Sequence, residues 1–130
     1  MTSIFLWVLQ FLLAAAYLAH GWLLLSPPVH LVELIKASIP TALRIFLGVA
    51  EVAAAAGLTL PGLTRIAPWL TPLAAAGLIP IMIGATVLHL MRGEFSSAAT
   101  TAVLLVLVSF VAYMRWKVAP IRPRTVARAA

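Results

Sequence analysis

The chain has 130 residues, 64% of them hydrophobic and only 9% charged, with a formal net charge of +6 and no cysteine. A soluble domain carries about a quarter charged residues, and so short a chain cannot hide this much apolar surface from water; the bilayer is its solvent, and a soluble catalytic module is excluded. Without cysteine there is no thiolate nucleophile, disulfide exchange or iron–sulfur ligation, and the crowding of Arg115, Lys117, Arg122, Arg124 and Arg128 at one end marks a tail beside anionic lipid, not a nucleic-acid face.

Ile4 to Leu25 is the first apolar run and is long enough to span. No Lys or Arg precedes it, and it exceeds an ordinary signal core, so it is read as a retained helix. Its polar residues are Gln10, Tyr17 and His20. Tyr17 and His20, three residues apart, share a face. Ser26-Pro27-Pro28 ends this helix and starts the next, with Ser26 suited to capping and proline to a first turn. Val29 to Ser38 is too short to span. Leu31, Val32, Leu34 and Ile35 form an apolar stripe, while His30, Glu33 and Lys36 form a polar one. That pattern predicts a short helix lying in the interface, placed as a lid over the outer mouth. Glu33 and Lys36 read as a solvated surface pair.

The second span is expected at about 41–60, broken by Pro61-Gly62. Arg65 falls in the next loop, and Trp69 is placed as an interfacial anchor. Thr71-Pro72 opens a third span, about 72–91. Pro80 lies inside it, where proline kinks a membrane helix; Gly77 and Gly84 flank it and give the kink a packing purpose. Arg92-Gly93-Glu94 ends that helix, and the fourth span covers about 96–116. The segment 117–130, with Pro120 and Pro123, is expected to be an irregular basic cytoplasmic tail.

The predicted fold is therefore an all-α integral membrane protein: an antiparallel four-helix bundle with a short interfacial helix between the first two spans. Four spans place both termini on one side. Arg65 and the five C-terminal charges lie there, against Lys36 and Arg92 opposite with Arg44 near the mouth. The positive-inside rule then orients a multi-pass cell-membrane protein with both termini cytoplasmic.

The candidate catalytic residue is Glu51, an ionisable group near the middle of the second span, where burial is costly and usually functional. Arg44 lies two turns before it on the same face, with Gly48 and Ala55 on the same stripe, where small residues let another helix approach closely. At about 1.5 Å of rise per residue, His20, Arg44 and His89 occupy one layer near the outer mouth. Glu51 lies deeper, level with Tyr17 as its best-matched partner. Arg44 is expected to bend inward towards Glu51, and a water-accessible pocket is expected with Glu51 at its floor. Tyr17, His20, Arg44 and His89 are the candidate ligand-binding residues. The plainer reading of Glu51 is a hydrogen-bonded carboxyl that holds two helices together. No metal site is assigned: His20, His89, Met82 and Met91 offer acceptable ligand types for copper but no tight ligand spacing. A bis-histidine haem needs His20 and His89 to face each other across the core. Haem and copper are disfavoured. Thr100 and Thr101 read as hydroxyls bonded to their own helix, not as catalytic groups.

From Ala42 onward the residues resemble a known family. Leu43-Arg44-Ile-Phe-Leu-Gly48-Val-Ala-Glu51, Ala56-Gly57-Leu58, Leu60-Pro61-Gly62, Pro68-Trp69-Leu70-Thr71-Pro72, Gly77-Leu78, Met82-Ile-Gly84-Ala85 and His89 closely resemble the DoxX-like membrane proteins, over roughly residues 42–94. The family takes its name from a subunit of a membrane thiosulfate:quinone oxidoreductase, and relatives occur in membrane-associated redox complexes. The resemblance implies a four-helix membrane protein with a redox or quinone connection. Thiol-based versions of that chemistry have no residue to carry them in this chain.

Three functions compete. The first is a redox-associated protein that binds a quinone or another lipophilic small molecule between its helices, alongside a soluble or membrane redox partner. Such a ligand suits an apolar cavity with a few convergent polar groups. The second is a non-enzymatic subunit that anchors or assembles a partner enzyme. The third is a small-solute carrier, which with four helices requires a homo-oligomer and lacks a visible inverted repeat.

Overall fold

The computed structural model describes residues 1–125; Arg128 and the end of the expected tail lie outside the described residues. The chain forms α1 (Thr2–Leu25), α2 (Val29–Ser38), α3 (Thr41–Thr64), α4 (Leu70–Met91) and α5 (Phe95–Tyr113), followed by a π-helical turn, Met114–Val118. It is an all-α membrane four-helix bundle with α2 between the first two spans. The helices Thr2–Leu25, Thr41–Thr64, Leu70–Met91 and Phe95–Val118 are each long and apolar enough to cross a bilayer.

Each long helix buries a narrow seam. On α3 it is Gly48, Glu51, Ala55, Leu58 and Gly62, a three–four spacing that keeps one face inward. The α1 seam runs through Leu6, Gln10, Leu13, Tyr17, Gly21 and Leu24. Thr71, Ala75, Leu78 and Met82 continue it on α4, and Val108 and Val111 on α5. Their middle residues form one core. The outward faces carry large apolar side chains such as Phe11, Phe46, Ile83 and Val106, all exposed to lipid. Lipid is as apolar as these side chains, so helix association rests on close packing and interhelical hydrogen bonds. The seams therefore mix small and polar residues.

The helices form a ring: α3 packs between α1 and α4, α4 packs on α5, and α5 closes on α1. Phe5 and Phe110 meet edge to face across that last contact, with centroids 6.3 Å apart. Helices α1 and α4 are diagonal. The start of α1, Arg65 and segment 115–125 lie at one end; the end of α1, α2 and the α4–α5 turn lie at the other.

Several local expectations are corrected. Pro61 does not stop α3, which continues to Thr64. Pro61 lacks the N–H that would reach the Gly57 carbonyl. Membrane helices tolerate such a gap when threonines bond the nearby carbonyls, and here the Thr64 hydroxyl donates to the Leu60 carbonyl at 2.8 Å. The helix ends instead at Arg65, a non-glycine residue at φ 58°. That conformation costs roughly 1–2 kcal/mol. Arg65 is tied down by the tail: its Nε donates to the Arg122 carbonyl at 3.0 Å, and the Arg124 N–H donates to the Arg65 carbonyl at 2.9 Å. Pro80 does sit inside α4, but Cβ atoms at Gly77 and Gly84 would meet nothing within 4 Å. These glycines face open space and serve no helix contact.

Helix α2 has no fully buried residue. Leu31, Val32 and Ile35 are half-buried, while Leu34 is 65% exposed. At 100° per residue the first three cluster on one face, and Leu34 falls at its edge. The expected stripe is thus narrower by one residue. The Arg92 guanidinium donates to the Ser38 carbonyl and ties α2 to the end of α4. Lys36 and Glu33 form an exposed ion pair at 3.5 Å.

Candidate functional site

The packing of α1 against α3 fixes the site. A Cβ on Gly21 would stand 2.9 Å from the Gly48 carbonyl oxygen and 3.1 Å from the Glu51 Cβ. One on Gly48 would stand 2.7 Å from Leu25. Only glycine at both positions lets the two backbones approach this closely. Glu51 sits at that crossing.

Its partner is His20. His20 Nδ1 lies 2.6 Å from Glu51 Oε2. The two side chains differ sharply in environment, with His20 57% exposed and Glu51 3%. A carboxylate here accepts from Nδ1–H; a protonated carboxyl donates to Nδ1 instead. Either way Nδ1 is engaged and Nε2 is the ring nitrogen left for another partner. The pair links the bundle interior to its surface through one short hydrogen bond.

Tyr17 lies one turn from His20 and is 2% exposed. Its hydroxyl has no hydrogen-bond partner among the described residues, an uncommon condition for a buried phenol. The interior beside the pair therefore holds an unsatisfied hydroxyl.

The other two candidates go elsewhere. Arg44 does not turn to Glu51; its guanidinium donates to the Leu24 carbonyl at the end of α1, and its Nε is buried without a partner among the described residues. The end of a helix leaves carbonyls that attract a cation. His89, on diagonal α4, pairs with Glu94 at 2.5 Å in the α4–α5 turn. The structure thus brings His20 to Glu51 with Tyr17 beside them, places Arg44 one layer above, and leaves His89 apart. Tight packing around Glu51 takes the place of the expected open pocket. Among the described residues no three His, Cys, Asp or Glu side chains converge. The two histidines that a haem would need occupy diagonal helices, each held by a carboxylate.

Sequence reading also missed a second polar centre. Gln10 is fully buried; its Nε2 donates to the Leu58 carbonyl at 2.6 Å, and its Oε1 accepts from Arg115 Nε at 2.6 Å. Arg115 was counted only as a tail charge, yet it is 3% exposed. The signal lay in Gln10, one polar residue on the buried seam of α1.

Fold and site define a small four-helix membrane protein with a histidine–carboxyl pair between its first two spans. The chain belongs to the DoxX-like family, which it matches over residues 8–111. That match reaches beyond the 42–94 stretch into α1 and along α5. Comparison with curated proteins and with solved structures gave no match.

Proposed function

We propose that this protein is redox-associated and binds a quinone-like or other lipophilic small molecule at the α1–α3 face, with Glu51 and His20 handling a proton at its polar end. The observation that carries this reading is the 2.6 Å contact between an exposed imidazole and a buried carboxyl. A quinone reduced by a partner redox protein takes up protons on its carbonyl oxygens. His20, 57% exposed, is the member of the pair open to such a ligand and donates one from Nε2, and Glu51 stabilises the charged imidazole and resets its tautomer. The unsatisfied Tyr17 hydroxyl supports a ligand group beside the pair. In this reading the protein is a multi-pass cell-membrane protein with both termini and the basic segment from Lys117 in the cytoplasm.

A second reading, an anchor or assembly subunit, draws on the close packing of Gly21 and Gly48 around Glu51. There the pair is interhelical glue. Glu51→Gln separates the two, because the amide keeps the shape and a hydrogen bond but exchanges no proton. Titration of the purified protein with a short-chain quinone, read by quenching of Trp22 two residues from His20, is the test. We expect Glu51→Gln to fold normally and bind about tenfold weaker, because a neutral amide no longer stabilises the charged imidazole that donates to the ligand. We expect Glu51→Leu also to lose thermal stability. Wild-type binding by Glu51→Gln, with failure of Glu51→Leu to assemble, leaves the glue reading standing and removes the functional one.

A further inference from the structure

Arg115 is a buried cation without a counter-ion among the described residues. It sits in the π-helical turn Met114–Val118 at the end of α5, and it is 3% exposed. The groups it bonds or stacks on are all neutral. Nε donates to the Gln10 amide oxygen, NH1 donates to the Ala119 carbonyl at 3.1 Å, and the guanidinium lies 5.3 Å from the centroid of the Trp7 ring. The remaining nitrogen, NH2, is buried and has no hydrogen-bond partner among the described residues. Buried charges are normally paired.

The chain holds no carboxylate side chain to do this. Its acidic residues are Glu33, Glu51 and Glu94. Glu33 pairs with Lys36, Glu51 with His20 and Glu94 with His89. All three pairs lie in the other half of the bundle or at its far end.

What surrounds Arg115 is further positive charge. A cleft of about 440 Å³ opens beside it, lined among others by Ser3, Trp7, Arg65 and Arg122. The chain after the π-turn folds back across α3, with Arg65 bonded to the Arg122 carbonyl. The strap brings Arg122 to the cleft, and the end of α3 brings Arg65. Gly62 forms part of the floor; a Cβ there would stand 2.6 Å from Trp7 and 2.7 Å from Ile121. A π-turn is a frequent feature of functional sites, because it re-aims a side chain out of the regular helical repeat.

We propose that this cleft binds a phosphate oxyanion, with Arg115 NH2 as the inner donor and Arg65 and Arg122 as the outer charges. Guanidinium forks match phosphate oxygens in pairs, and three of them suit a group carrying several acceptor oxygens. The cleft size is that of a small-ligand site, larger than a bare phosphate needs. Exposed Trp69 and Trp116 stand at the same end of the bundle. Such tryptophans mark the headgroup level of a membrane. A lipid phosphodiester is therefore the nearer source, and free phosphate is the other.

The test uses the full chain purified in neutral detergent. Native mass spectrometry after addition of equal phosphatidylglycerol and phosphatidylcholine reads lipid retention. Thermal unfolding with sodium phosphate, against sodium chloride of equal ionic strength, reads the free anion. We expect phosphatidylglycerol to be retained about tenfold over phosphatidylcholine and to raise the unfolding midpoint. Arg122→Gln loses one charge but keeps the carbonyl that holds the strap, and should lower retention several-fold with helix content unchanged. Arg115→Lys keeps the charge but loses the fork, and should abolish the preference. Stabilisation by sodium phosphate above chloride, lost in Arg122→Gln, assigns the site to the free anion and upholds the oxyanion reading. Equal response to both lipids and both salts, or an Arg122→Gln variant indistinguishable from wild type in both measurements, overturns it.

Discussion

His20 and Glu51 meet at the level of the Gly21–Gly48 crossing, where α1 and α3 come closest. A Cβ on Gly21 would stand 3.1 Å from the Glu51 Cβ, so His20, the neighbour of Gly21, is level with Glu51, and Tyr17 lies about a turn deeper. Side chains lean towards the N-terminus of their own helix. Helices α1 and α3 are antiparallel, so side chains of the two helices lean in opposite directions along the bundle, and from this shared level His20 and Glu51 meet at 2.6 Å. The same rule sends Arg44 away from Glu51 and leaves the Tyr17 hydroxyl without it.

The first prediction concerns the crossing that holds this pair. Gly21→Ala places a methyl 2.9 Å from a backbone oxygen that cannot swing aside. It should destabilise the bundle by about 1–3 kcal/mol, the usual cost of overpacking. Gly77→Ala meets nothing and should be neutral or stabilising by about 0.5–1 kcal/mol, since glycine is the poorer helix former. Thermal unfolding in detergent compares them. Equal effects at the two positions contradict the close approach.

The second concerns Gln10. Replacing it with Leu leaves the Arg115 Nε and the Leu58 carbonyl without their partner in a buried place. An unsatisfied buried group costs about 1–3 kcal/mol. Gln10→Leu should therefore lower stability although it adds an apolar residue to a membrane helix. A stabilised variant in the same unfolding assay means that Gln10 is not the bridge described.

Much of the fold was legible because a bilayer imposes length and apolarity on every span. Four runs of the right length, with Ser26-Pro27-Pro28 and Arg92-Gly93-Glu94 between them, left little choice of architecture. Helix ends were less legible. Pro61 reads as a stop in water, but Thr64 and close neighbours carry the helix past it. The site was legible in composition and not in pairing. Glu51 stood out as a lone carboxyl in an apolar run, whereas its partner depended on the register of α1 against α3, which the Gly21–Gly48 crossing sets and counting from each helix end does not give. His89 shared a depth with His20, but depth says nothing of position around the ring. Arg115 was hidden by the basic residues near it in sequence.

The third prediction concerns orientation. Reporter fusions after Leu63 and after Lys117 should be active as cytoplasmic fusions, and those near Glu33 and Ser96 as external ones, following the excess of Lys and Arg at the end with Arg65. Residues near Leu63 and Lys117 reporting on opposite faces contradicts the four-span arrangement; a uniform inversion reverses the orientation alone.

The central claim is that a lipophilic ligand binds beside the His20–Glu51 pair. Photolabelling with an azido-quinone, followed by peptide mapping, tests it most directly. The account predicts label on α1 around Tyr17 to Leu24 and on α3 around Arg44 to Val52, competed away by unlabelled quinone and strongly reduced in Glu51→Gln. Label that resists competition, or that falls on α4 and α5 around His89 and spares the α1–α3 face, contradicts it.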